Sequence, residues 1–301
     1  MLSRWKGENP PQGIPLAYLR FYHADFVRCI DRRHMPREPL SARFDRLGVY
    51  VMKYFMHLAY LGTDFCGSQI QPNVRTVQGV LNDAFAALFG MTCRVTSCSR
   101  TDSGVHAIAA ALTVELPGGI IPIPPEKLAL AVQCHLPPDV AIFDVALRPD
   151  IFHVRHDVVE KEYLYRICNR PVHDPFSVGR AWFFPRYLDG TAVERMNQAA
   201  GYLVGKHDFA AFQAQGSPVA TTVRCMTHCE VNREGDEILV SVRADGFLYN
   251  MVRIIVGTLV DVGIGRKEPE ELPAIIQSCD RTRAGMTAPP EGLYLHRVFY
   301  N

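Results

Sequence analysis

Between Lys53 and Tyr300 the spacing of apolar residues changes period several times, and each change predicts an element. The run KYFMHLAY from Lys53 is rich in aromatic residues and is followed by Gly62, Thr63 and Asp64, which reads as a strand with its exit turn. Val77, Val80, Leu81, Ala84, Phe85 and Leu88 then recur at steps of three and four, the spacing of a buried helical stripe. Thr76 is placed to cap that helix and Gly90 to end it in the left-handed region. CRVTSC reads as a second strand. Residues 125–136 predict a second helix, with Pro125 at its first position and Leu128, Ala131, Val132 and His135 along it.

A second half begins near Phe152. EYLYRI predicts a strand, and Thr191 with Glu194 predicts a capping box ahead of Val193, Met196, Ala200 and Leu203. VRCMTHCEV from Val223 and EILVSVRADG, with Ile238, Val240 and Val242 alternating, predict two further strands. After Gly246, the residues Met251, Val252, Ile255, Val256 and Leu259 form a helical apolar stripe. Each half thus mixes strands with about two helices. The pattern predicts an α+β fold: two similar halves with largely antiparallel sheets, helices packed on the sheets, and a division into residues 51–150 and 151–301.

Composition sharpens the function classes. The 301 residues are 48% hydrophobic and 21% charged, as in a folded chain, and 32 Lys and Arg face 31 Asp and Glu. A net charge of +1 excludes a uniformly basic coat but not a basic cleft, since screening over about 8–10 Å makes local charge decisive. The charge is uneven: residues 1–50 hold nine Lys or Arg against five Asp or Glu, which leaves 23 against 26 in the rest. This basic amino-terminal extension reads either as an organelle leader or as a loosely ordered addition, although its acidic residues are unusual for a leader. Nine scattered cysteines without a Cys-x-x-Cys pair predict reduced thiols in an intracellular protein, cytoplasmic or mitochondrial. Cys225, His228 and Cys229 are close in sequence but lack the second pair of a structural zinc site. The apolar run from Met251 to Gly265 is interrupted by Arg253 and Asp261 and is shorter than the roughly 20 residues a membrane span needs. No membrane, metal or small-molecule cofactor is expected.

The run SRTDSGVHA, Ser99 to Ala107, is the strongest candidate for chemistry. Asp-Ser-Gly is a common turn, and that reading stands beside the functional one. Yet Ser103 and Gly104 let the backbone approach a bulky ligand, and Arg100, two residues ahead of Asp102, offers a guanidinium to keep a carboxylate ionised for nucleophilic or basic work. A hydrolase built on Asp102 lacks a second carboxylate at a recognisable spacing.

SRTDSGVHA resembles the GRTDAGVHA signature of the TruA family of transfer RNA pseudouridine synthases. LAYLGTDFCGSQIQPNVRTVQGVL, FHVRHDVVEKEYLYRI, HDFAAFQ, GFLYNMVRIIVGTLVDVGIG and DRTRAGMTAPPEGLYLHRV resemble its other blocks in family order, over about Lys53 to Tyr300. SPVATTVR, after HDFAAFQ, resembles the branch found in eukaryotes. The resemblance implies the pseudouridine synthase fold, with the two halves joined across a central cleft. It also implies cofactor-free conversion of uridine to pseudouridine on the 3′ side of the tRNA anticodon stem-loop, by a homodimer.

By the same resemblance, Asp102 is the catalytic aspartate, attacking the nucleotide or removing a proton from its sugar. Arg100 is the arginine that enters the vacated stack; its alternative role is pairing with Asp102. Tyr163 is the active-site tyrosine, although alternation puts Tyr165 on the same strand face and spacing alone does not separate them. Arg253 is the basic partner of the carboxylate, set against the alternative of a snorkelling surface arginine. His106, His153 and His207 read as packing residues, and Phe209 and Phe212 as core. Arg155, with Arg148, Arg170, Arg180 and Arg186 nearby in sequence, completes the predicted RNA grip. The chain departs from the family pattern at Ser68, where tryptophan is usual, and at Ser99, Ser103 and Val154. The alternative function is an inactive RNA-binding or RNA-chaperone protein of the same fold.

Overall fold

The computed structural model describes residues 51–216 and 219–301. The predicted basic extension, residues 1–50, and Ser217 and Pro218 of SPVATTVR lie outside the described residues.

The first half holds β1 (Met52–Tyr60), α1 (Val77–Phe89), β2 (Arg94–Ser97), β3 (His106–Glu115), α2 (Pro125–Gln133) and β4 (Val140–Pro149). The second holds β5 (Val158–Cys168), β6 (Trp182–Phe183), α3 (Gly190–Gly201), β7 (Gly205–Asp208), β8 (Val223–Glu234), β9 (Glu237–Ala244), α4 (Met251–Gly263), α5 (Leu272–Ser278) and β10 (Leu293–Tyr300). All strands join one sheet in the order β4-β1-β3-β10-β5-β9-β8-β7, with β2 beside β3 and β6 beside β5. The sheet is largely antiparallel, as expected. Its exceptions are the parallel pairs β3–β10 and β5–β6.

The strand β3 is central to the site. One edge pairs with β1. The other is shared: β10 pairs at His106 and Ala107, β2 at Leu112 to Glu115. The loop from β2 back to β3, which carries Asp102, therefore lies where β3 passes from β2 to β10.

Local sequence accounts for the helices. Thr76 caps α1 by accepting from the Gly79 amide, and Gly90 ends it at φ 65°, both as predicted. Pro125 opens α2 as predicted. That helix ends at Gln133, earlier than 136, because His135 and Leu136 donate to carbonyls three residues back, a tightened turn leading into Pro137 and Pro138. The capping box of Thr191 and Glu194 is not formed. Asp189 caps α3 instead, accepting from the Ala192 amide at 2.8 Å, because the helix starts at Gly190 and leaves Thr191 inside its first turn.

The core is continuous. One buried cluster holds Tyr54, Met56 and Leu58 of β1, Leu81 and Phe85 of α1, Val240 and Val242 of β9, Ile255 and Leu259 of α4, and Met196 of α3. Phe209 and Phe212 are fully buried in it, as predicted. Each such side chain contributes roughly 1.5–3 kcal/mol, so the sheet is a rigid base for the loops along its seam.

Candidate active site

The loop after β2 is fixed on both sides of Asp102. Ser68 donates its amide to the Thr101 carbonyl (3.0 Å), and its hydroxyl accepts from the Thr101 amide (2.7 Å). The Tyr60 and Thr101 hydroxyls share a hydrogen bond of 2.7 Å. Beyond Asp102, the Ser103 hydroxyl and the Gly104 amide both donate to the Phe65 carbonyl, at 3.2 and 3.3 Å. Gly104 sits at φ 78°, where a side chain would be strained and its Cβ would meet Pro290 at 3.0 Å. These bonds hold the backbone, while the Asp102 carboxylate accepts no hydrogen bond among the described residues and stays 38% exposed. Ser68, a departure from the family pattern, is thus one of the residues that pin this loop.

Arg253 is the cation that faces it. Its Nη1 lies 3.9 Å from Asp102 Oδ2, and its side chain is only 15% exposed. Nε donates to the Ala288 carbonyl (2.7 Å) and Nη1 to Asn250 Oδ1 (2.8 Å). The side chain of Arg253 is thus turned inward, towards Asp102. Burial raises the pKa of Asp102, and the Arg253 charge opposes that rise.

Tyr163 is buried on β5, its ring edge-on to Phe247 at 4.9 Å. Burial raises its pKa, a hydrogen bond with the Ser99 side chain opposes that rise, and Asp102 is near enough to add to it; the ring remains a neutral phenol. The hydroxyl of Tyr165 is committed elsewhere, donating to the Pro289 carbonyl at 2.7 Å. The structure thus brings Asp102, Tyr163 and Arg253 together. Arg100 does not join them: it is exposed, and its guanidinium makes no hydrogen bond or ion pair among the described residues. The expectation that it keeps Asp102 ionised is corrected, since Arg253 takes that place. Arg100 instead lines a cavity of about 180 Å³ with Ser68, Gln78, Ser97, Ser99 and Arg155.

The histidines are structural. His106 is fully buried, accepts from the Gly62 amide at Nδ1 (2.8 Å), lies 3.1 Å from the Glu291 carbonyl at Nε2, and stacks on Tyr294; burial lowers its pKa to about 4. His153 accepts amides of its own turn, and His207 lies 3.1 Å from the Val204 carbonyl. Of the other arginines, Arg148 covers the Phe55 and Phe152 rings, Arg186 binds the Ile264 carbonyl, and Arg170 stands 3.8 Å from Asp236.

Sequence reasoning missed several supports. Asn250 and the Ala288 carbonyl, which hold Arg253, carry no motif of their own. On the face of β5 opposite Tyr163, Glu162 pairs with His296 at 2.6 Å and with Arg243. Burial pushes the Glu162 pKa up, but these partners outweigh it and hold it at about 2, which braces the strand that presents Tyr163.

Among the described residues, no group of three or more His, Cys, Asp or Glu is arranged to hold a metal. Burial pushes the Cys229 thiol up to about 12, so it rests as a neutral thiol. The described cysteines are all free, and no described helix is long and apolar enough to cross a membrane.

Comparisons with known proteins bear on the family. A family model described as tRNA pseudouridine synthase matches residues 56–157 and 199–301, segments that contain Asp102 and Arg253. tRNA pseudouridine synthase A of Geotalea daltonii is 39% identical over 243 residues, covering 81% of this chain and 97% of the relative. The enzyme of that name from Methylacidiphilum infernorum is 42% identical over 255 residues, covering 84% of this chain and 98% of the relative. That from Brevibacillus brevis is 44% identical over 243 residues, with 81% and 97% covered. With both halves of the sheet matched and these relatives aligned over nearly their whole length, the chain belongs to the tRNA pseudouridine synthase family.

Proposed function

We propose that this protein is an isomerase that converts uridine to pseudouridine in the anticodon stem-loop of tRNA, on its 3′ side, with Asp102 as the catalytic group. The observation that carries this reading is a carboxylate that accepts no hydrogen bond among the described residues, 3.9 Å from a nearly buried guanidinium and near a buried tyrosine. In the reaction the bond from uracil N1 to the ribose breaks, the base turns while held, and C5 bonds to the sugar as its proton is lost and N1 gains one. No atom leaves, so no co-reactant is required.

The target base must leave its stack, at a cost of a few kcal/mol. Arg100, exposed and without a hydrogen bond or ion pair of its guanidinium among the described residues, is free to enter the gap. Tyr163 stacks on the extruded uracil and excludes water. Asp102 then attacks the sugar or removes its proton; either route needs the ionised form that Arg253 favours. In this reading residues 51–150 supply Asp102, residues 151–301 supply Tyr163 and Arg253, and two copies of the chain grip one RNA, chiefly through its phosphates.

Pseudouridine mapping of tRNA treated with the purified protein tests the reading. The wild-type chain is expected to modify anticodon-stem uridines, and Asp102→Asn to lose at least about 100-fold in rate. Identical maps from the two proteins would falsify the catalytic reading, and an inactive RNA-binding protein of this fold predicts that outcome.

A further inference from the structure

Arg253 stands farther from Asp102 than a hydrogen bond allows, and the reason lies in what else its guanidinium holds. Nη1, the nitrogen 3.9 Å from Asp102 Oδ2, donates to Asn250 Oδ1 at 2.8 Å, while Nε donates to the Ala288 carbonyl at 2.7 Å. Two short bonds to one planar group fix its plane as well as its position. Both acceptors are themselves fixed. The Ala288 amide donates to the Arg253 carbonyl at 3.1 Å, and the Asn250 carbonyl accepts from the Ile254 amide at 3.0 Å. Asn250 opens α4 at φ 59°, a left-handed conformation that Asn tolerates. At such a position an Asn side chain ordinarily caps a backbone amide of its helix. Here it makes no cap, and its oxygen goes to the arginine.

Without these acceptors, the guanidinium would close on the partly exposed carboxylate to about 2.9 Å, the length of a charge-assisted hydrogen bond. Coulomb attraction falls only as the inverse of distance, so about three quarters of it survives at 3.9 Å, whereas the hydrogen bond is lost altogether. The separation keeps Asp102 charged without occupying its lone pairs. We propose that Asn250 is a positioning residue which, with the Ala288 carbonyl, holds Arg253 off Asp102, so that the carboxylate stays ionised yet open to the ribose of the target nucleotide. The inference rests on the proposed role of Asp102. Among the described residues, the titratable groups that act on Asp102 or feel it are Arg253 of α4 and Tyr163 of β5.

Opposite substitutions at this one position separate the hold from a merely structural role. Asn250→Gly keeps the backbone at positive φ and removes the acceptor. Arg253 is then expected to close on Asp102: the carboxyl titrates at lower pH and the acidic limb of kcat/KM follows it down. A charge-assisted hydrogen bond must now open before reaction, so kcat is expected to fall about tenfold, with KM for tRNA within about twofold. Asn250→Asp keeps the acceptor and adds a negative charge, so the limb is expected to move to higher pH, with the plateau above it within about threefold of wild type. The Asp102 carboxyl is read directly in the substrate-free chain by carbon NMR titration, its signal identified by its loss in Asp102→Asn. A carboxyl that stays in place or titrates at higher pH in Asn250→Gly overturns the hold, as does a limb that moves the same way in both variants. Raised KM with unchanged kcat in Asn250→Gly makes Asn250 an RNA contact and also overturns it. Should the glycine variant not fold, Asn250→Ser, one bond shorter than asparagine, carries the same expectation. A wild-type chain that leaves tRNA unmodified, while the carboxyl of Asn250→Gly shifts down, defeats the proposed function and leaves the hold standing.

Discussion

Arg253 is held by oxygens from three segments: Asn250 Oδ1, the Ala288 carbonyl and the Asp102 carboxylate. The opposing effects of burial and of this guanidinium on Asp102 give its replacement a definite sign. In Arg253→Met, burial acts on Asp102 unopposed, so its pKa rises further and the ionised fraction at neutral pH falls. The acidic limb of kcat/KM is expected to move to higher pH with a lower plateau; a limb that stays in place overturns the pairing. The three residues at this centre were legible in the sequence because each lies in a motif. The error over Arg100 has a physical cause: two residues apart in a turn does not fix where side chains point, and the guanidinium lies on the cavity wall while the carboxylate faces Arg253. Asn250 was illegible for a related reason. An Asn before a helix reads as a cap, yet here it sits at φ 59° and gives its side chain to Arg253 rather than to a backbone amide.

The element that presents Arg253 depends on a close backbone crossing. The Thr258 hydroxyl of α4 accepts from the Gly285 amide at 2.8 Å, and the Ala288 amide donates to the Arg253 carbonyl at 3.1 Å. Gly257 permits this approach: a Cβ there would lie 1.9 Å from the Met286 carbonyl oxygen. Gly257→Ala is therefore expected to destabilise the fold by about 2 kcal/mol or more and to lower kcat by displacing Ala288 from Arg253, read by thermal melting and by turnover of the folded protein. An alanine variant with both unchanged contradicts the crossing. At this scale the apolar stripes of α1 and α4 were legible because helical burial repeats in sequence. The start of α3 was misread: Asp189 and Thr191 are both plausible caps, and only the course of the backbone before Gly190 selects between them.

For the whole molecule, the joining of the halves depends on β10. Alternation and turns revealed β1, β2, β5, β8 and β9, but not the remaining strands, nor the parallel pairing of Tyr294 with His106, since pairing across long separations leaves no local pattern. A chain ending before Leu293 leaves β3 and β5 without their shared neighbour, and the loop bearing Asp102 without its support on the second half. Such a truncation is expected to lose cooperative melting and all turnover; a truncated chain that melts cooperatively and retains activity contradicts the topology. The same placement sets a timetable for synthesis. At roughly 5–20 residues per second, a ribosome that has completed β3 needs on the order of ten seconds or more before β10 follows. Throughout that interval the nascent protein shows unpaired strand edges to its surroundings, a natural target for chaperones, and the site around Asp102 comes into being only when translation has passed β10.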